Sequence, residues 1–262
     1  MSSRSMGFIG GGRVTRFLLK RLHELQVLPG EIVISDPEIE QKDYTWLQGT
    51  DLLLTKENGL AAQTQLIVLA VHPPQIEAVC SEISGKLPPD AILLSLVPTV
   101  RISALQQKLN GFARIVRMIP NAPSLIGRGY NPVTFSSTAL NEADRAMLRV
   151  LFEHWGMAPE VPEAHLEAYA ILTGMGPTYF WFQWLELQRL AVEFGLNESE
   201  AKRAIAEMLH GAVELLLESP FLPGEVLDLI PAYPLKKQEN DIRKLLMERL
   251  SGLYQKLIAN TT

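Results

Sequence analysis

A chain of 262 residues that is 47% apolar and 20% charged has material for one large core or two ordinary ones, which excludes a disordered or low-complexity protein. A formal charge of -5 excludes the basic balance of a nucleic-acid or membrane-surface binder. Cys80 is the one cysteine, so no internal disulfide forms; the opening residues lack the sections of a signal peptide, and a reducing, cytoplasmic setting is expected.

The first part of the chain alternates strand and helix signals. Met6-Gly7-Phe8-Ile9 is a short apolar run that ends in glycines, and Val14, Phe17, Leu18, Leu22 and Leu25 follow at helical spacing. Pro29-Gly30 makes a turn before the β-branched run Ile32-Val33-Ile34, which stops at Ser35-Asp36-Pro37. Continuous apolar runs over 66–71, 91–96 and 114–118 read as strands buried on both faces of a parallel sheet. Strands alternating with helices predict a doubly wound, Rossmann-type parallel sheet with right-handed crossovers. From Pro162 strand signals stop, so a dinucleotide-binding domain over 1–161 and an all-helical substrate and dimerisation domain over 162–262 are expected. Residues 177–194 are apolar nearly all round, including Tyr179, Phe180, Trp181, Phe182, Trp184 and Leu185. A second helix starts at Asn197 with Glu200 as its capping partner, and a last amphipathic helix covers about 239–258. An all-round apolar helix needs cover, which predicts a homodimer or higher homo-oligomer built through the C-terminal helices; cover by the first domain is the alternative. No apolar run approaches the roughly 20 residues that span a bilayer, so no membrane partner is expected.

Gly10, Gly12 and Thr15 stand at the G-x-G-x-x-(G/A) positions, between a strand and a helix. Gly10 permits the tight turn and Gly12 lets the backbone approach a pyrophosphate. The amides of Gly10, Gly11, Gly12, Arg13 and Val14 face it from the positive end of the helix. Thr15 is larger than the usual third residue and is expected to hold the helix further from the strand. Asp36, just past the second strand, suits the ribose hydroxyls and repels a 2′-phosphate, so NAD(P)H is the expected cofactor with NADH preferred. The nearest downstream base is Lys42. A tight turn that binds no nucleotide is the alternative. His23, His72, His154, His165 and His210 lack metal-ligand spacing, and no metal site is expected.

Three stretches together resemble the pyrroline-5-carboxylate reductase family: MGFIGGGRVTRFLLKRL at 6–22, LIVLAVHPPQI at 66–76 leading to RIVRMIPNAPSLIGRGYNPV at 114–133, and the segment at 170–220 with its TGMGPTYF opening. The resemblance implies hydride transfer from NAD(P)H to the imine carbon of a small cyclic imine carboxylate. An already electrophilic protonated imine needs orientation more than acid–base machinery. It implies that Val71, His72 and Pro73 line the cofactor, with His72 standing where the family has lysine. Pro120, Asn121 and Pro123 border the nicotinamide. Gly174, Met175, Gly176 and Pro177 seat a substrate carboxylate at a helix N-terminus, with Thr173 and Asn121 as catalytic candidates. Glu186 matches the family's mid-helix glutamate. Tyr130, Thr173, Tyr179 and Tyr233 are proton-donor candidates by side-chain chemistry alone.

The resemblance breaks at residues 230–240. Leu235, Lys236, Lys237 and Gln238 stand where the family has Gly-Gly-Thr-Thr, Met175 replaces a serine, and Val97-Pro98-Thr99 replaces an Ala-Gly segment. Lys236 and Lys237 are candidate substrate-carboxylate partners or solvated surface charges. Three functions stay open: a reductase of pyrroline-5-carboxylate, a paralogue reducing another imine or carbonyl, and a non-catalytic dinucleotide-binding protein.

Overall fold

The computed structural model describes residues 5–136 and 139–261. The chain divides into two compact units, Met1–Met175 with Leu253–Thr262, and Gly176–Gly252. In the first, β1 (Ser5–Ile9), α1 (Arg13–Glu24), β2 (Glu31–Ser35), β3 (Asp51–Thr55), α2 (Asn58–Ala61), β4 (Leu66–Leu69), α3 (Ile76–Ile83), β5 (Ile92–Ser95), α4 (Ile102–Lys108) and β6 (Ile115–Met118) alternate. They are followed by β7 (Gly129–Tyr130), β8 (Val133–Phe135), α5 (Glu142–Glu153), β9 (Gly156–Met157) and α6 (Leu166–Tyr169). Seven strands form one sheet in the order β3-β2-β1-β4-β5-β6-β8. β1 to β6 run parallel and β8 is antiparallel to β6, as the strand–helix alternation predicts for a doubly wound sheet. The order reverses between β1 and β4, so the loops after β1, β2 and β4 meet at one crevice.

The two faces of the sheet are read directly from residue alternation. Phe8, Ile34, Val68 and Leu94 point to one side and pack with Leu18, Leu19 and Leu22 of α1 and Leu151, Phe152 and Trp155 of the α5 end. Ile9, Val33, Ile67 and Leu93 point to the other side, against Val79, Cys80 and Ile83 of α3 and Leu105 of α4. Each such side chain contributes about 1.5–3 kcal/mol when fully buried. Trp155 is fully buried, and its indole N–H is satisfied by the Leu18 carbonyl at 3.1 Å. Cys80 sits in the α3 layer, where burial pushes its thiol up to about 11, which makes it a packing residue and not a nucleophile.

Four strands have no counterpart in the sequence reading. β3 is a leucine-rich edge strand paired only to β2, and β7, β8 and β9 are two or three residues long, too short to display a period. The run at 66–71 leaves the sheet after Leu69, because Ala70 and Val71 turn into the crevice beside Gly10.

Arg117 of β6 is 1% exposed and binds two carboxylates: Glu163 through Nη1 and Glu167 of α6 through Nη2, both at 2.9 Å. Glu163 also accepts the amide of Ile102 at 2.7 Å. One guanidinium therefore pins the start of α4 and the segment carrying α6 to the sheet. Next to it Ile119, Leu166 and Ala170 form a small cluster joined by Leu257.

The second unit holds α7 (Pro177–Glu193), α8 (Glu198–Val213), α9 (Pro223–Asp228) and most of α10 (Glu239–Ala259). Asn197 and Glu200 cap α8 reciprocally, at 3.0 Å each way, as their spacing predicts. Phe180, Trp181, Phe182 and Leu185 of α7 remain exposed on the single chain. Among the described residues no helix is long and apolar enough to cross a membrane.

Replacing Arg117 with leucine strands a buried Glu167 and a part-buried Glu163. The expected loss is about 3–5 kcal/mol in urea unfolding. A loss under about 1 kcal/mol, the ordinary surface range, contradicts the assigned network.

Candidate active site

The glycine loop divides its work among three residues. Gly10 has φ +102°, and a Cβ there stands 2.4 Å from the Ala70 carbonyl oxygen, so only glycine fits between β1 and β4. Its amide donates to the Ser35 carbonyl at 2.8 Å. Gly11 is consumed inside the protein: its amide donates to Asp36 Oδ2 at 2.8 Å, and its carbonyl accepts the Tyr44 hydroxyl at 3.1 Å. Gly12 faces open space, with nothing within 4 Å of a Cβ placed on it. It precedes Arg13 and Val14 with no side-chain cap and no acid in the first turn of α1. The first-turn amides of a helix lack intrahelical acceptors, so this turn presents donors and a positive dipole end to whatever approaches Gly12. A pyrophosphate fits those donors and that space. The expectation that Gly11 contributes its amide to a phosphate is corrected, because Asp36 already holds it. Thr15 is fully buried, and its hydroxyl donates to the Gly10 carbonyl at 2.5 Å, so it also ties the helix to the turn.

Asp36 ends β2 beside this loop. Besides the Gly11 amide it accepts the Glu38 amide at 2.9 Å and the Lys42 ammonium at 2.8 Å. Burial pushes its pKa upward, but Lys42 and the two amides outweigh that and hold the carboxyl below its ordinary range. The group is thus an anion at neutral pH, placed where a ribose is expected in this fold. The partnership with Lys42 was not foreseen; its only sequence signal is a basic residue six positions downstream.

The loops after the other parallel strands complete the same sheet edge. Val71 lines the crevice, its Cγ1 3.2 Å from the position of a Gly10 Cβ, whereas His72 and Pro73 are exposed. The His72 amide donates to Gln75 Oε1 at 3.2 Å. After β5, Thr99 is buried with φ +69°, a left-handed conformation that costs a β-branched residue about 1–2 kcal/mol. That strain falls on the edge that carries the site.

At the end of β6 a second cluster gathers Pro120, Asn121, Tyr130, Thr173 and Gly174. Asn121 Nδ2 donates to the Thr173 carbonyl at 3.3 Å, its Oδ1 accepts the Tyr130 amide at 3.2 Å, and its own amide donates to Asn131 Oδ1 at 3.1 Å. Asn121 is therefore a positioning residue whose amide joins three backbone segments. The Thr173 hydroxyl donates to the Tyr169 carbonyl at 3.0 Å. In the free chain both expected catalytic residues thus bond to backbone groups. Tyr169, which sequence reasoning passed over, lies against Tyr130 with ring centroids 6.1 Å apart. Burial, and then Tyr169, pushes the Tyr130 phenol up.

Residues 170–174 form a π-helical turn, and the Met175 amide donates to the Ala170 carbonyl at 3.0 Å. Gly176 has helical dihedrals and Pro177 opens α7. The Gly174–Pro177 segment is therefore a helical turn with one amide already spent, and not the open glycine loop before a helix that the sequence suggests. π-turns of this kind recur at functional sites. Gly174 faces Ile119 and Pro120, with Ile119 Cγ2 3.4 Å from its Cβ position. In the second unit, Lys236 is exposed and paired with Glu239 at 3.1 Å, Lys237 is exposed, and Glu186 pairs with Arg189.

Two substitutions separate the glycine roles. Gly10→Ala is expected to cost about 1–3 kcal/mol or more of unfolding free energy. Gly12→Ala is expected to cost under about 1 kcal/mol, yet to weaken NADH binding by at least about tenfold, or about 1.4 kcal/mol. Urea midpoints and calorimetric titration check both, and normal binding by Gly12→Ala contradicts the role given to Gly12.

A family model described as NADP oxidoreductase, coenzyme F420-dependent, matches residues 5–99, and one described as pyrroline-5-carboxylate reductase dimerisation matches residues 163–230. The pyrroline-5-carboxylate reductase 2 of Bos taurus is 30% identical over 229 residues, 86% of this chain and 71% of its own. The pyrroline-5-carboxylate reductase of Haemophilus influenzae is 25% identical over 222 residues, 84% of this chain and 81% of its own. The crystal structure of Plasmodium falciparum pyrroline carboxylate reductase, solved with NADP bound, has a TM-score of 0.84 over 100% of both chains at 22% identity, which shows the common fold. From its glycine loop to its last matched helices, this chain belongs to the pyrroline-5-carboxylate reductase family.

Proposed function

We propose that the protein is an NAD(P)H-dependent reductase that acts on the C=N bond of a small cyclic imine carboxylate of the pyrroline-5-carboxylate kind. The observation that carries this reading is a shared sheet edge. The Gly12 opening, the ionised Asp36 and the Asn121–Thr173 junction all lie at the C-terminal ends of the parallel strands. Relatives named pyrroline-5-carboxylate reductase match it along most of the chain.

A bound nicotinamide supplies the hydride; the residues of the chain supply its placement. The amides after Gly12 hold the pyrophosphate, and Asp36 accepts hydrogen bonds from the ribose. Pro120, fixed by Asn121 and faced by Gly174, forms the floor at the other end of the edge. Gly174, which faces Ile119 and Pro120, borders the substrate side of that floor. A protonated imine is already electrophilic, so holding the two reactants in line does most of the work. NADH is preferred to NADPH, because Asp36 is anionic and opposes a second phosphate on the ribose.

The protein also self-associates in this proposal. A groove of about 530 Å³ between α7 and α8, lined by Trp181, Trp184, Leu185, Ile205 and Leu209, leaves apolar surface that a second copy covers.

Loss of reduced-nicotinamide absorbance on adding pyrroline-5-carboxylate is expected, with a higher kcat/KM for NADH than for NADPH. Turnover only with other cyclic imines or oxo acids moves the assignment to a paralogue, and cofactor binding without turnover on any of them refutes catalysis. Light scattering is expected to give a dimer or larger assembly. Leu185→Asp, at a position 67% exposed on the single chain, is expected to shift it toward monomer; an unchanged assembly contradicts the interface.

A further inference from the structure

The bond from Lys42 to Asp36 carries a consequence for cofactor choice. The Lys42 ammonium lies 2.8 Å from Asp36 Oδ2, and its side chain is 22% exposed, against 10% for the carboxylate. The same oxygen holds the Gly11 amide. Lys56, farther along the same edge, is paired with Glu40 at 2.9 Å, and both are exposed. Among the described ion pairs, Lys42 is the cation in direct contact with Asp36, and it is partly open to solvent.

We propose that Lys42 is the specificity-determining residue that limits how strongly this site rejects NADPH. The proposal rests on the dinucleotide reading above. A ribose 2′-hydroxyl donates to the Asp36 carboxylate and needs no cation. A 2′-phosphate in the same place meets the carboxylate and the ammonium together, so repulsion by one is offset by attraction to the other. A 2′-substituent in contact with Asp36 lies within a few ångströms of Lys42, because the two charged groups are in direct contact. With the ammonium removed, the carboxylate stands alone and its rejection of the phosphate is complete. With the carboxylate removed, the ammonium is released for the phosphate.

Calorimetric titration of the purified chain with NADH and with NADPH, in the absence of substrate, tests this. Lys42→Met is expected to weaken NADPH binding by about tenfold or more, the effect of about 1.4 kcal/mol, and to change NADH binding by less than about threefold. Lys42→Arg keeps the charge and is expected to bind NADPH within about threefold of wild type. Asp36→Asn is expected to reverse the order of the two affinities. Equal losses for both cofactors in Lys42→Met, or no loss for NADPH, overturn the proposal and leave Lys42 a structural partner of Asp36. If the wild-type chain binds neither cofactor, the dinucleotide reading itself falls and this proposal with it. Thermal unfolding of each variant shows whether a lost affinity reflects a lost fold.

Discussion

The Gly11 amide donating to the Asp36 carboxylate is the contact on which the cofactor end of the molecule depends. It joins the turn after β1 to the end of β2 across 2.8 Å. An ionised acceptor makes this bond about twice as strong as a neutral one, and Asp36 is ionised because Lys42 and two amides offset its burial. The same carboxylate thus shapes the glycine loop and presents a negative charge at the end of β2. Loss of this carboxylate therefore alters loop geometry and ligand chemistry together.

Around that bond the sheet edge separates steric, cohesive and binding duties. Gly10 is a steric necessity against Ala70, Gly11 is cohesive, and Gly12 alone is left open. Further along, Asn121 joins the end of β6 to the Tyr130 and Thr173 backbones, while Arg117 within that strand anchors α6 through Glu167. The segment that carries Thr173 and Gly174 is therefore held at both ends by buried polar contacts. Such contacts suit a site whose chemistry depends on orientation, since a half-satisfied network loosens the geometry it supports.

Much of the fold was legible because it is periodic. Fully buried strands such as β4 and β5 appear as unbroken apolar runs, α1 shows its core stripe, and the Asn197–Glu200 cap follows from spacing alone. β3, β7, β8 and β9 were not legible, since two to five residues at a sheet edge are placed by partners far along the chain. The glycine motif located the site but not the assignments within it. That Gly11 is spent on Asp36, and that the Thr15 hydroxyl returns to Gly10, depend on three-dimensional reach that residue spacing does not encode. Thr173 and Asn121 were found by resemblance. Their backbone partners were not legible, because a side chain's chemistry does not reveal which carbonyl or amide lies within its reach.

On this reading the amides following Gly12 are open in the free chain and close on a pyrophosphate, while that of Gly11 is already taken by Asp36. Residue-resolved amide hydrogen exchange with and without NADH tests it directly. The account predicts that Gly11 is protected in both states, and that Arg13 and Val14 exchange freely alone and become protected with cofactor. Exchange at Arg13 and Val14 that is unchanged by saturating NADH, or a Gly11 amide that exchanges as fast as its neighbours, would contradict it.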